Sequence, residues 1–373
     1  MKNLLFVFGT RPEAIKLAPL IRVFQESPAH FVTKVCVTAQ HREMLDDVLN
    51  FFRIKPDYDL NIMKPNQSLF DITADGLKGI QDVLSEYQAD NIFVEGDTTT
   101  VLIGSLAGFY TKTTVSHVEA GLRSGNKYSP FPEEMNRILA GHLADFHFAP
   151  TEKAATNLFH EGIRDNVWVV GNTVIDALFM GLELISAEEE KKNFARFGFV
   201  DFSRKIVLVT CHRRESFGAA LEGICQAIRE LANNLEDIEI IYPVHLNPNV
   251  REPAFRILGN TNRVHLIDPL NYAQFIWLMN KSHIILTDSG GVQEEAPSLG
   301  KPVLVMRDVT ERVEGIEVGT ARLVGTDSDR IVEAVYALLR DRDQYEAMAK
   351  AVNPYGDGNA SERIKKIIAE VLP

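Results

Sequence analysis

Two stretches of the chain open in the same way. Residues 4–24, LLFVFGTRPEAIKLAPLIRVF, and residues 206–228, IVLVTCHRRESFGAALEGICQAI, each run from an apolar β-type segment through a loop with basic residues into a helical pattern. This echo constrains the fold most, because strand, crossover helix and next strand build a parallel sheet, and the doubling calls for two such sheets. Further β-rich runs follow both openings: VTKVCVTA, NIFVEG, TTVSHVEA and DFHFAP in the first half, then IEIIYPV, RVHLID, HIILTD, KPVLVM and TARLVG in the second. At 373 residues the chain also exceeds one ordinary core. The expected fold class is α/β, with two doubly wound Rossmann-like domains facing a central cleft. The first domain is expected over 1–172 and the second over 173–358, with the seam near VVGNTVIDAL. NPYGDGNAS breaks a helix near the end, and a last helix within 359–373 is expected to pack back on the first domain.

Composition narrows the function classes. Hydrophobic content of 45% and charged content of 24% are those of a globular chain, and no apolar run approaches the length of a membrane span. The five-residue apolar run near the amino terminus is too short for a signal-peptide core, so a cytoplasmic location without membrane partners is expected. Cys36, Cys211 and Cys225 show no C-x-x-C spacing, and His142 and His147 stand five apart without an H-E-x-x-H frame, so no metal is expected. A formal charge of −12 argues against a nucleic-acid surface, and any anionic ligand must be met by local basic clusters.

Ligands of doubly wound sheets bind beyond the carboxyl ends of the strands, so the loops there carry the functional candidates. In ILTDSGGVQEEA, Ser289, Gly290 and Gly291 stand between a strand and a helix start, where bare backbone amides and the helix dipole suit a phosphate. A tight turn that needs glycine for its geometry is the competing explanation. Glu294 and Glu295 are read into the first turn of that helix, as dipole partners or as acceptors from a sugar diol. Arg307 and Arg312 follow the next strand, the latter in a loop where a guanidinium could clamp phosphate oxygens, with a solvated surface arginine as the alternative for either. In GTRPEAIK, Thr10, Pro12 and Glu13 are accounted for as N-cap, early helical proline and capping-box partner, which leaves Arg11 and Lys16 for the cleft. His212, Arg213 and Arg214 occupy the matching loop of the second half. Acidic side chains gather in the first half: Asp97 in EGDTTT, Glu119 in SHVEAGLRS, and Glu133 and Glu134 in PFPEEMNR. A turn-capping role for Asp97 and a helix start for the glutamate pair are the structural alternatives.

These motifs, with TAQHREML, YPVHLNPNVREP and SLGKPVLVMRD, resemble in content and order those of the non-hydrolysing bacterial UDP-N-acetylglucosamine 2-epimerases, across essentially the whole chain. The resemblance implies a glycosyltransferase-B type fold, a homodimer, and interconversion of UDP-N-acetylglucosamine with UDP-N-acetylmannosamine for bacterial surface polysaccharide. It assigns Asp97, Glu119 and Glu133 as catalytic carboxylates, with His212 as a phosphate-contacting or acid/base group. Arg11, Lys16, Ser289, Gly290, Gly291 and Arg312 would hold the diphosphate, Glu295 the ribose, and Phe275 with the backbone near Leu270 the uracil. Some family members bind a second UDP-N-acetylglucosamine as activator, for which the matching positions are Gln40, Glu133, Arg213 and His245, while Glu43 and Asn66 depart from that contact set.

The chemistry is consistent with these residue types. The C2 proton is not α to a carbonyl, and oxidation by NAD would need a dinucleotide fingerprint that the chain lacks, so no cofactor is expected. Expelling UDP while the C2 proton leaves, then adding both back with C2 inverted through a 2-acetamidoglucal, needs a stabilised diphosphate and several acid/base groups. A UDP-sugar glycosyltransferase, a hydrolysing epimerase and a non-catalytic nucleotide-sugar sensor are the alternatives.

Overall fold

The computed structural model describes residues 1–39, 42–64 and 66–372, apart from the side chain of Glu43. Two compact units form, one of Met1–Met180 with Tyr355–Pro373 and the other of Gly181–Pro354. The first boundary falls inside the helix Thr173–Leu184 and the second ahead of Tyr355, where the sequence alone suggests breaks after 172 and 358.

The first unit carries seven strands: β1 (Lys2–Phe8), β2 (Phe31–Val37), β3 (Tyr58–Asp59), β4 (Asn91–Glu95), β5 (Thr114–Val118), β6 (Phe146–Ala149) and β7 (Val167–Val169). They pair in parallel in the order β3-β2-β1-β4-β5-β6-β7. Sequence patterning does not announce β3 or β7, which at two and three residues are too short to show a period. The chain winds outward from β1 to β3, then returns to the other side of β1 with β4. This reversal opens the loops after β1 and β4 into a crevice, the usual ligand position of such sheets. Helices cover both faces of the sheet, so its central strands read as unbroken apolar runs. Phe6 of β1 stacks on Phe93 of β4 with centroids 4.6 Å apart, and Phe24 from the helix Arg11–Gln25 tilts against both. All three rings are sealed from solvent, each contributing about 2–3 kcal/mol through burial.

The second unit repeats the plan with six parallel strands: β8 (Lys205–Thr210), β9 (Ile238–Pro243), β10 (Val264–Ile267), β11 (Ile284–Thr287), β12 (Val303–Val305) and β13 (Ala321–Leu323), in the order β10-β9-β8-β11-β12-β13. Here the reversal lies between β8 and β11, and the HRRE and DSGG loops follow those two strands. Among the described residues, no helix is long and apolar enough to cross a membrane.

The last helix, Ala360–Val371, belongs to the first unit and packs on Arg11–Gln25. Its own N-cap residue supplies no capping hydrogen bond. Asp176, from the helix Thr173–Leu184, takes that place by accepting from the backbone N–H groups of Ala360 at 3.2 Å and Ser361 at 2.7 Å.

Candidate active site

In the first unit the loop after β1 forms as its sequence suggests. Glu13 Oε2 accepts from the N–H groups of Gly9 at 3.0 Å and Thr10 at 2.7 Å, closing the capping box. Its other oxygen accepts from the Thr98 hydroxyl at 2.6 Å, which ties the β1 loop to the β4 loop. Burial nonetheless pushes the Glu13 carboxyl above its ordinary value.

Glu119 follows β5 directly and adopts a left-handed backbone with φ of 60°, a conformation that costs a non-glycine residue about 1–3 kcal/mol. Its side chain is held at both oxygens. Oε2 accepts from Lys16 Nζ at 2.5 Å and Oε1 accepts from Asn172 Nδ2 at 2.8 Å. Lys16 also lies 3.1 Å from Glu95 Oε1, at the end of β4. Asp97, two residues beyond β4, approaches Arg137 Nη1 at 3.6 Å, and its backbone carbonyl accepts from Asn136 Nδ2 at 3.0 Å. Burial, the largest influence, raises the Asp97 carboxyl above its usual value. Arg137 opposes that rise, while the negative charges of Glu119 and Glu133 add to it. Glu119 and Glu133 therefore sit close enough for their charges to be felt at Asp97.

Glu133 opens the helix Glu133–Leu143 and is half-buried, whereas its neighbour Glu134 turns inward. Glu134 accepts from the N–H groups of Ser124 and Gly125 and pairs with Arg137 Nη2 at 2.8 Å, which gives it a structural task. His117 is also structural. It lies buried in β5, burial lowers its pKa to about 4, and its Nε2 donates to the Gly96 carbonyl at 2.7 Å, bracing the turn that carries Asp97.

In the second unit Asp288, wholly buried after β11, organises the HRRE loop. Its Oδ2 accepts from the N–H groups of His212 at 2.8 Å and Arg213 at 2.7 Å, and its Oδ1 lies 3.2 Å from His212 Nδ1. Burial alone would raise this carboxyl, but the contacts from His212 and the two N–H groups hold it below its ordinary value. The exposed His212 ring lies 6.0 Å from that of His245 in a near-parallel stack.

Beyond Asp288, the Ser289 N–H donates to Thr287 Oγ1 at 2.9 Å, and the helix Gly290–Glu295 begins. The Arg312 guanidinium lies directly over Gly290. A Cβ on that residue would stand 3.2 Å from Arg312 Cζ, so glycine is what allows the close approach. Arg312 Nε donates to Glu294 Oε1 at 2.8 Å, and a chain from Arg312 N–H to Thr310 and on to Gln293 holds the loop. The bare turn and one guanidinium thus converge on a single spot, as anion binding requires.

Several expectations change here. Glu294 and Glu295 close a six-residue helix and do not sit in its first turn, because the chain tightens into a 3-10 turn at Ala296–Leu299 around Pro297. Arg307 is buried and occupied by the chain's own carboxylates: Nε donates to Glu215 at 2.6 Å, and the two Nη atoms donate to Glu311 at 2.9 and 3.1 Å. That fork holds the Glu311 carboxyl down to about 2. Lys16, expected on a phosphate, lies against two carboxylates. Gln40 lies outside the described residues.

The UDP-N-acetylglucosamine 2-epimerase family profile matches residues 24–369. The chain belongs to this family. It is 57% identical to the UDP-N-acetylglucosamine 2-epimerase of Escherichia coli K12 over 365 residues, covering 97% of each chain, and 50% identical to that of Campylobacter jejuni, covering 99% of this chain and 97% of the relative. The solved structure of UDP-GlcNAc 2-epimerase from Neisseria meningitidis bound to UDP-GlcNAc superposes with a TM-score of 0.90 at 51% identity, over 99% of this chain and 100% of the other. The expected fold class, two doubly wound α/β domains of the glycosyltransferase-B type, holds, and the chain is an isomerase of the 2-epimerase family.

Within this 2-epimerase, Arg11 is half-buried at the start of its helix and makes no ion pair among the described residues. Phe275 is half-buried on the helix Tyr272–Lys281, and Leu270 lies buried just ahead of it. Glu95, Asn172, Arg137 and Asp288 are the polar residues that sequence reasoning passed over. Glu95 carried one signal, an acid directly after the apolar run IFV of its strand. Asp288 likewise follows a largely apolar strand run, IILT, whereas Asn172 and Arg137 are recognisable only by their partners.

Proposed function

We propose that this enzyme interconverts UDP-N-acetylglucosamine and UDP-N-acetylmannosamine without hydrolysis, supplying N-acetylmannosamine for bacterial surface polysaccharide. The C2–H and C1–O bonds break to leave a 2-acetamidoglucal and UDP. The proton then returns to the opposite face of C2, and UDP returns to C1. The observation that carries this reading is the gathering of three acids beyond the neighbouring strands β4 and β5, with Asp97 and Glu119 following the strand ends and Glu133 about one helical turn from Arg137, which approaches Asp97, since inversion through an alkene needs a base on one face and an acid on the other. Asp97, raised by burial, is suited to hold a proton. Glu119, on Lys16 and Asn172, is suited to remain a carboxylate. In the second unit Ser289, Gly290, Gly291 and Arg312 take the diphosphate that must leave and return, with Glu295 on the ribose and Phe275 and Leu270 at the uracil. Arg11 and His212 add positive charge and a proton donor for the leaving oxygen. Relatives support the substrate class, because the Neisseria meningitidis structure holds UDP-GlcNAc.

Incubation with UDP-N-acetylglucosamine in deuterated water, followed by NMR, tests the reaction. Reversible appearance of the manno epimer with deuterium at C2 is expected. Accumulating free UDP would mark a hydrolase, and turnover only with an added acceptor would mark a glycosyltransferase; either result removes the proposal. The anion site has its own test in Arg312→Ala. Losing a charge-assisted contact there should weaken UDP binding about tenfold or more by calorimetry. An unchanged Kd would take Arg312 out of the nucleotide site.

A further inference from the structure

We propose that Glu95 is a positioning residue for the reaction, a neutral carboxylic acid that shares Lys16 with Glu119 and donates a hydrogen bond to it, so that Glu119 is held as the charged member of the pair. The inference rests on the reading of Glu119 as an acid/base group. Its basis is geometric. β4 and β5 run side by side with Glu95 opposite Val118, so Glu119 is the next residue along. One ammonium, Lys16 Nζ, then lies 2.5 Å from Glu119 Oε2 and 3.1 Å from Glu95 Oε1. Glu95 is 1% exposed. Two carboxylates on one lysine would leave an uncompensated negative charge in a buried place, which is costly, and a proton on one of them removes it.

The geometry also says which one carries the proton. Glu119 has the shorter contact to Lys16 and a second donor in Asn172, so its charge is solvated at both oxygens. Glu95 Oε1 is sealed from water and makes no hydrogen bond of good geometry. The charged groups facing Glu95 are Lys16 and Glu13 from the helix Arg11–Gln25 and Glu119 from the end of β5, with burial raising the Glu95 carboxyl most, Lys16 opposing, and Glu119 and Glu13 adding to the rise. A protonated Glu95 can donate to the Glu119 carboxylate, whereas an ionised one would repel it and compete for Lys16.

Infrared difference spectra and kinetics together test the proposal. At neutral pH the wild-type protein should show the C=O stretch of a protonated carboxylic acid that disappears in Glu95→Gln. Glu95→Ala should lower kcat about tenfold or more with KM changed less than about twofold, because the donor that fixes Glu119 is gone while the substrate contacts remain. Glu95→Gln, uncharged and still a donor, should recover most of that loss. No difference band, a wild-type kcat in Glu95→Ala, or a Glu95→Gln as impaired as Glu95→Ala each overturns the proposal. Should Glu95→Ala fail to fold, the band and the isosteric Glu95→Gln decide it. The band reports the proton on Glu95 whatever the protein catalyses, so failure here is distinct from failure of the epimerase reading, which the deuterium experiment judges.

Discussion

Glu119→Gln should lower kcat by about 10³-fold or more, ~4 kcal/mol in the barrier, while leaving UDP affinity within about threefold of wild type. The amide keeps the shape of the side chain and can still accept at one atom, so the fold around it has little reason to change. Lys16 does not lose its only partner, because Glu95 Oε1 lies 3.1 Å away. What disappears is a charged proton acceptor held at both oxygens in a strained backbone, the kind of constraint that persists only where the surroundings over-determine it. Stopped assays of both epimers, with calorimetry of UDP, separate chemistry from binding. A kcat within tenfold of wild type would reassign Glu119 to structure.

Gly121→Ala should cost about 3–4 kcal/mol of stability, lowering the melting temperature of the first unit by roughly 10 °C. Two effects combine. Gly121 has φ of +92°, which a Cβ disfavours, and the added carbon would stand 2.1 Å from the backbone carbonyl oxygen of Ala154. That oxygen belongs to the helix Glu152–His160 and cannot swing away as a side-chain tip would. The approach is also fixed from the other side, since Asn157 Nδ2 donates to the Gly121 carbonyl at 2.9 Å. Thermal unfolding measures this directly, and a shift under 2 °C would mean that the helix yields cheaply. The glycine of the HVEAG motif would then owe its place to something other than packing.

The two predictions differ in how far the sequence alone could have reached them. Glu119 was legible as an acid at the end of a β-type run, and the motif around it resembles the epimerases. Gly121 was legible only as a glycine. Its helix partner is more than thirty positions away, and no local pattern names a carbonyl on another element. The same division runs through the site. The Thr10–Glu13 capping box and the Ser-Gly-Gly turn involve residues within a few positions of each other, and both formed where composition places them. Arg307 and Arg312 look alike on paper, yet one is consumed by Glu215 and Glu311 while the other leans over Gly290.

The alternation of apolar runs with amphipathic segments, its repetition at residue 206 and the acids and bases at strand ends were properties of the sequence itself. They follow from backbone periodicity and short-range hydrogen bonding, which neighbours along the chain determine. Which charges neutralise one another was decided by the tertiary structure alone. Lys16 and Glu119 are 103 positions apart and meet only because β1, β4 and β5 lie side by side in the sheet. Burial then pushes the carboxyls of Glu13, Glu95 and Asp97 upward, and burial is a property of the packed sheet that no single segment carries.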